Sequence, residues 1–199
     1  MTSDIVVRPA NEATWDDLQA VLGPRGEGAR CQCRWFQTPS SRWRESAREE
    51  RAAELRSDTH CGEPGAATTS GLVAYLDGEP AGWCAVEPRT AYVRLRTARV
   101  PWSGRDEDKD DDGVWAVVCF VTRAGYRRRG VSAALTAAAV EHARSRGARA
   151  VEGYPMVVGP GYTDSWGELY VGVASVFEAA GFREVSRPTS RRAVMRVDL

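Results

Sequence analysis

With 199 residues, of which 43% are hydrophobic and 27% charged, the chain is long enough for one domain with a sizeable core. Its 27 basic and 27 acidic side chains cancel, so no whole-molecule field draws it to nucleic acid or to an anionic membrane. No apolar run approaches the roughly 18 residues of a membrane helix, and the five cysteines, with a start (MTSDIVVRPA) that lacks a signal-peptide pattern, lead to the expectation of reduced thiols in a cytoplasmic protein.

Ile5 to Arg8 is a β-branched run stopped by Pro9, the pattern of a strand leaving into a loop. Thr14 is placed to cap a helix over Trp15 to Leu22, in which Trp15, Leu18, Val21 and Leu22 share a face and Gly23-Pro24 is the stop. Gly23 to Ser41, which contains CQCRWF, reads as irregular, and a second helix is expected from about Arg42 to Arg56. Leu72 to Leu76 and Ala81 to Val86 flank the turn DGEP, a β-hairpin pattern. Glu87 to Arg105 has no readable period. Asp106 to Asp112, DEDKDDD, places six acids in seven residues, and self-repulsion predicts a mobile exposed loop.

Val114 to Thr122, VWAVVCFVT, is apolar at both parities and is expected as a central strand covered on both faces. Val131, Ala134, Leu135, Ala138 and His142 then recur at helical spacing up to the stop at Gly147. Ala148 to Tyr154 reads as a strand broken by Pro155, followed by the loop GPGYTDSWG, a helix around Tyr170 to Ala180, and strands near Phe182 to Ser186 and Ala193 to Val197. There is no internal repeat and no second core, so residues 1–199 are expected to form one mixed α/β domain.

The segment joining the central strand to the long helix is Tyr126 to Leu135, YRRRGVSAAL. A buried strand, a short loop and a glycine at a helix start let free backbone N–H groups and the helix dipole converge on an anion. Arg127, Arg128 and Arg129 add charge, and Gly130 lets a ligand approach the main chain through Val131 and Ser132. The loop lacks Gly-Lys-Ser/Thr and G-x-G-x-x-G, so it is neither a Walker A motif nor a dinucleotide fingerprint. Without interleaved stacking aromatics it does not read as a nucleic-acid stripe. A pyrophosphate cradle is the expectation.

The run from Arg127 to Ser132 resembles the R/Q-x-x-G-x-G/A signature of the GNAT superfamily, the acetyl-CoA-dependent N-acyltransferases, with Ser132 in the last small position. Ala174 to Val185, ASVFEAAGFREV, is similar to the family's closing A-x-x-x-Y-x-x-x-G-F segment, and the order of elements agrees over nearly the whole chain. Within it, CQCRWF, GWCAVEPR, VCFV and VEGYP resemble a bacterial branch. The resemblance implies a GNAT fold, α/β (α+β), with a central mixed twisted sheet of about six to seven strands flanked by about four helices. It implies acetyl-CoA as acyl donor, its pyrophosphate on the loop amides and its pantetheine arm along Phe120, Val121 and Thr122. It further implies direct attack by a primary amine, of a small molecule or of a protein, and it allows a homodimer; the aromatic residues of the expected pocket lean toward a small-molecule acceptor. A domain of this fold that binds CoA as a sensor, with little turnover, is the alternative.

Acetyl transfer needs a neutral amine, a polarised carbonyl and a proton for the leaving thiolate. The family's usual tyrosine is replaced by Phe177, so Tyr170 and Ser175 are the candidate acids. Glu152 is the leading base, on the strand that splays from the central one, where apolar neighbours are expected to raise its pKa; Glu87 and Asp164 are alternatives. Cys31, Cys33, Trp35 and Phe36 are expected to line the acceptor pocket, with Trp83, Glu87, Arg89 and Tyr154 as further substrate contacts. Cys31, Cys33, His60 and Cys61 would be a zinc set, but C-x-C is not the usual knuckle and adjacent His60-Cys61 is awkward for one tetrahedral ion, so no metal is expected. Cys119 is expected as a small core residue.

Overall fold

The computed structural model describes residues 4–159 and 169–199. Along the chain run β1 (Ile5–Pro9), α1 (Trp15–Leu22), α2 (Gly26–Cys31), α3 (Ser40–Trp43), α4 (Arg48–Thr59), β2 (Leu72–Leu76) and β3 (Glu79–Pro88). They are followed by α5 (Arg99–Trp102), β4 (Val114–Thr122), α6 (Val131–Ser145), β5 (Ala150–Gly153), α7 (Ala174–Ala179), β6 (Arg183–Thr189) and β7 (Arg192–Asp198). The seven strands form one sheet in the order β1-β2-β3-β4-β5-β7-β6. Only β4 and β5 are parallel, joined by the α6 crossover. No described helix is long and apolar enough to cross a membrane.

The strand that is apolar at both parities is the middle one because it has cores above and below. Leu72, Val86, Val117, Leu135 and Phe177 belong to the core on the α6 face; Leu18, Leu55, Trp83, Ala116 and Val118 belong to the other, beneath α1 and α4. The sequence provides for close packing at two glycines. A Cβ at Gly82 would lie 2.4 Å from Val131 Cγ1, so the missing side chain lets the first turn of α6 rest on β3. A Cβ at Gly153 would meet the Phe177 ring at 2.1 Å.

Two irregularities of the sheet set up the site. Pairing of β4 with β5 covers Val114–Val117 against Ala150–Gly153, after which β5 turns off at Pro155 while β4 continues to Thr122. On its other side β4 stays paired to β3, but the register jumps: Cys119 opposes Ala85 and Val117 opposes Val86, leaving Val118 as a bulge. Val118 and Cys119 consequently face the same core, whereas strict alternation would have sent Cys119 to the α6 side.

Several expectations need correction. Gly23 to Ser41 holds α2 and α3, and Arg42 belongs to α3, so the next helix starts only at Arg48. The short helices also bring the helical complement among the described residues above the expected four. The expected helix from Tyr170 to Ala180 is divided into a 3-10 turn, Leu169–Val171, and α7, because Gly172 takes φ +80°. The acidic segment is tethered: Asp110 pairs with Arg96, Asp111 with Arg149, Glu107 with Arg196 of β7 at 3.5 Å, and the Asp108 carbonyl accepts from Arg89 Nη2 at 2.7 Å. Arginines drawn from four other parts of the chain outweigh the self-repulsion that the acid run implies.

Candidate functional site

One side of the site is the start of α6. Gly130 is its N-cap at φ +84°, preceded by Arg128 at φ +58°, so the loop passes twice through the left-handed region. The first helical bond is Ala134 N–H to Gly130 O, 3.0 Å, and the N-cap glycine offers no side chain to the N–H groups ahead of it. Residues 127–130 are exposed, and the nearest atom to a Cβ at Gly130 is Ile5 Cδ1 at 3.5 Å, so a ligand can reach the main chain. Arg129 Nη2 donates to Asp77 Oδ2 at 3.2 Å, and Tyr126 lies under the Arg123 and Arg129 guanidinium groups at 5.3 and 5.8 Å. An open cationic loop against uncapped amides fits a phosphate-bearing ligand. Phe120, Val121 and Thr122 lie on the stretch of β4 that has left β5. The Phe120 ring packs edge-on against Phe177, 5.9 Å away.

Across the sheet lies a half-buried carboxylate. Glu87, near the end of β3, accepts from Ser70 Oγ at 2.7 Å and from Gln37 Nε2, both on Oε2. Gln37 is held in turn by Arg34 Nη1 at 2.7 Å, and Arg34 by Glu54 and Asp58. Burial, reinforced by the nearby Asp58 charge and only partly offset by the Ser70 hydrogen bond and the Arg34 charge, pushes Glu87 up to about 7. Beside it the Tyr92 hydroxyl is buried without a hydrogen-bond partner among the described residues, close enough to Glu87, Cys84, Cys119 and Cys33 for their charges to raise its pKa further after burial. Cys33 Sγ and Cys119 Sγ are 3.2 Å apart. The rim carries Tyr170, 37% exposed, with Phe36 at 6.2 Å, and Trp35, 36% exposed, under the Arg94 guanidinium at 3.8 Å.

Glu152 is placed on β5 as expected, but its environment is the reverse of the expected one. Arg89 Nη1 and Arg105 Nη1 donate to its Oε2 at 3.2 Å each, Arg196 Nη1 to Oε1 at 3.0 Å, and Tyr154 OH to Oε2 at 3.0 Å. Arg105 Nη2 also donates to Oε1. Burial alone would raise its pKa, but the Arg105 hydrogen bond and the charges of Arg105 and Arg89 hold it below the usual carboxylate range. The expected upward shift is therefore corrected. Arg89 and Tyr154, expected at the substrate, are consumed by this network: Arg89 is 2% exposed and Tyr154 3%. A cavity of about 100 Å³ between Tyr92, Trp102 and Lys109 adjoins the network; it has room for a few water-sized molecules and none for an acyl donor.

The remaining expected residues separate. Trp83 is 0% exposed and packs beneath Gly71 in the core, so it forms no open substrate surface. Cys31 is half-buried, and burial, then the nearby Cys33, pushes its thiol up to about 11. Ser175 is exposed on α7, and Phe177 is fully buried. Asp164 lies outside the described residues. His60 Nδ1 meets Glu63 and Cys61 Sγ meets Thr59, apart from the Cys33–Cys119 pair. Among the described residues no three His, Cys, Asp or Glu side chains are arranged to hold a metal ion. Tyr92, Gln37 and Ser70 were not foreseen; Tyr92 falls in the stretch without a period, and a 3-10 turn over Arg89–Ala91 folds it back onto the sheet.

Comparison with known proteins adds to this geometry. The family model described as acetyltransferase (GNAT) family matches residues 32–154. No curated protein matches the chain. An N-acetyltransferase from Staphylococcus aureus Mu50 is similar at TM-score 0.53 and 13% identity, over 98% of this chain and 99% of that one. The GNAT domain of S. lividans PAT is similar at 0.52 and 17%, over 99% and 97%. Aminoglycoside acetyltransferase AAC(6')-Ib, in complex with coenzyme A, is similar at 0.51 and 16%, over 98% and 95%. At these identities the likeness is one of fold.

Proposed function

The chain belongs to the acetyltransferase (GNAT) family, and from that membership we propose that it moves an acetyl group from acetyl-CoA to a primary amine of a small molecule by direct attack. The observation that carries the chemistry is Glu87, a half-buried carboxylate whose pKa is pushed up to about 7 on the face where β4 bulges and parts from β5. When bound, acetyl-CoA would supply the acyl group as an activated thioester. The uncapped amides at Val131 and Ser132, with Arg127, Arg128, Arg129 and Gly130, would hold its pyrophosphate. Phe120, Val121 and Thr122 would pair with the pantetheine arm along the open edge of β4, and a backbone N–H there would polarise the carbonyl.

In this reading Glu87 accepts the proton of the attacking amine. With both described hydrogen bonds on Oε2, Oε1 keeps lone pairs for the acceptor. Tyr170 protonates the departing thiolate, since burial raises its pKa and keeps the phenol protonated. Glu152 becomes a positioning residue that, with Glu107, pairs with three arginines beside the splay. Cys31, Trp35 and Phe36 would wall the acceptor, an aromatic rim suited to a small molecule; the AAC(6')-Ib neighbour has also been solved with kanamycin. A cytoplasmic location and a homodimer belong to the same reading, to be checked by cell fractionation and sedimentation.

Phe177 in the usual tyrosine frame favours a second reading, a CoA-binding sensor without turnover. Thiol release from acetyl-CoA with a panel of amines separates the two: release stimulated by an amine supports the enzyme, and acetyl-CoA binding with no release for any amine supports the sensor. Calorimetry with Gly130→Asp tests the cradle that both share. Aspartate tolerates the left-handed backbone, so a folded variant that still binds acetyl-CoA like wild type would remove the basis of both readings.

A further inference from the structure

Cys33 and Cys119 are brought together by two independent distortions of the backbone. Gln32 and Cys33 both occupy the left-handed region, at φ +49° and +51°, a conformation that side-chain-bearing residues hold only when their surroundings dictate it. The surroundings do so here: Gln32 Nε2 donates to Ala29 O at 3.0 Å, its amide pairs with that of Gln19, and Arg34 is fixed by Glu54, Asp58 and Gln37. From the other side, the Val118 bulge turns Cys119 onto the same face. The two sulfurs meet at 3.2 Å, about 1 Å more than the 2.03–2.05 Å of an S–S bond. Of the other three cysteines, Cys84 Sγ lies 4.0 Å from Leu135 O and Cys61 Sγ 3.3 Å from Thr59 Oγ1, while Cys31 is half-buried two residues from Cys33.

We propose that Cys33 and Cys119 form a reversible oxidation site that takes a peroxide as co-substrate and closes to a disulfide. With hydrogen peroxide, one thiolate attacks an oxygen, the O–O bond breaks and a sulfenic acid forms with loss of one water. The second thiol displaces a second water as the S–S bond closes, so the sulfurs lose two electrons and the peroxide gains them. The contact with Cys119, then burial, holds the Cys33 thiol well above its ordinary value, with the Trp83 indole opposing only in part, so little thiolate is present and the oxidation is slow at neutral pH; the juxtaposition of the two sulfurs is what selects this pair. With Cys33 3% and Cys119 7% exposed, the peroxide must enter from the splayed end of β4, the route assigned above to the substrates. Resting on that reading, the disulfide ties the turn of the acceptor wall to the strand that holds the acyl group, and it stops turnover.

The test treats the full reduced chain with hydrogen peroxide, alkylates the remaining thiols and maps the disulfide by mass spectrometry. The expected result is a Cys33–Cys119 linked peptide, three of the five thiols still alkylated, and full reversal by dithiothreitol. Prior saturation with acetyl-CoA, which has no free thiol to consume the peroxide, slows the reaction. In activity assays, the ratio of rates after and before peroxide falls for wild type in step with the linked peptide, and it stays near one in Cys33→Ser. Oxidation confined to Cys31 or Cys61, or five intact thiols after exposure that oxidises free cysteine, overturns the proposal. Because the linked peptide is read without any assay, its formation in a chain that shows no acetyl transfer would sink the enzyme reading and leave the oxidation site standing.

Discussion

Two glutamates flank Ala116 in one row of the sheet, Glu87 on β3 and Glu152 on β5, both facing the core beneath α1. Each is largely out of water, yet their acidities move in opposite directions. Glu87 has two neutral hydrogen-bond donors and is pushed up to about 7 by burial. Glu152 has three arginines and a tyrosine and is held below the ordinary range. Burial therefore does not make a base by itself. A carboxylate becomes a proton acceptor near neutral pH when it is buried and left short of positive charge; with that charge supplied, it becomes a structural anion.

The largest effect should come from removing the proton acceptor alone. Glu87→Gln keeps the Ser70 and Gln37 neighbourhood and is expected to lower kcat/KM by about 10²–10⁴-fold, measured by thiol release with the best amine acceptor. Glu152→Ala strands Arg89, Arg105 and Arg196, and urea unfolding should show a loss of about 3–5 kcal/mol; a loss below about 0.5 kcal/mol would mean that the three arginines find other partners.

The same contrast sets the pH dependence of stability. The folded pKa of Glu87, about 7, lies above its ordinary 4.5, so its contribution is fully present below pH 4.5 and is lost as pH rises through 7. At pH 8, Glu87→Gln should thus be more stable than wild type by about 3 kcal/mol. Glu152 has the opposite sign: its lowered pKa gives stability that is present above 4.5 and lost on acidification below it. Guanidinium unfolding at pH 4, 6 and 8 resolves the two. The smallest effect is expected at the rim, where Tyr170→Phe should reduce kcat by about tenfold, since water can protonate a thiolate in its place. If kcat is unchanged, Ser175 or solvent is the acid.

The central strand, the crossover helix and the cradle loop were legible because each rests on local pattern: a run apolar at both parities, a helical period, and a glycine between them. Glu152 was misread because its sequence neighbours, Val151 and Gly153, are not what its carboxylate touches. Arg89, Arg105 and Arg196 reach it from 63, 47 and 44 residues away, and no spacing rule joins them. Glu87 depends likewise on Gln37 and Ser70, 50 and 17 residues distant. The acid run misled for the same reason, since charge pattern along the chain says nothing of arginines arriving from α6–β5 or β7. The Val118 bulge, which aims Cys119, left no mark in the pattern because every residue around it is apolar.

The most direct measurement is the pH dependence of kcat/KM for wild type and Glu87→Gln from pH 5.5 to 9. The predicted result is a wild-type limb that rises with pH through a midpoint near 7, as Glu87 ionises, and that is absent from the residual activity of the variant. A limb near 7 that persists in Glu87→Gln would contradict the assignment and return the base to another group.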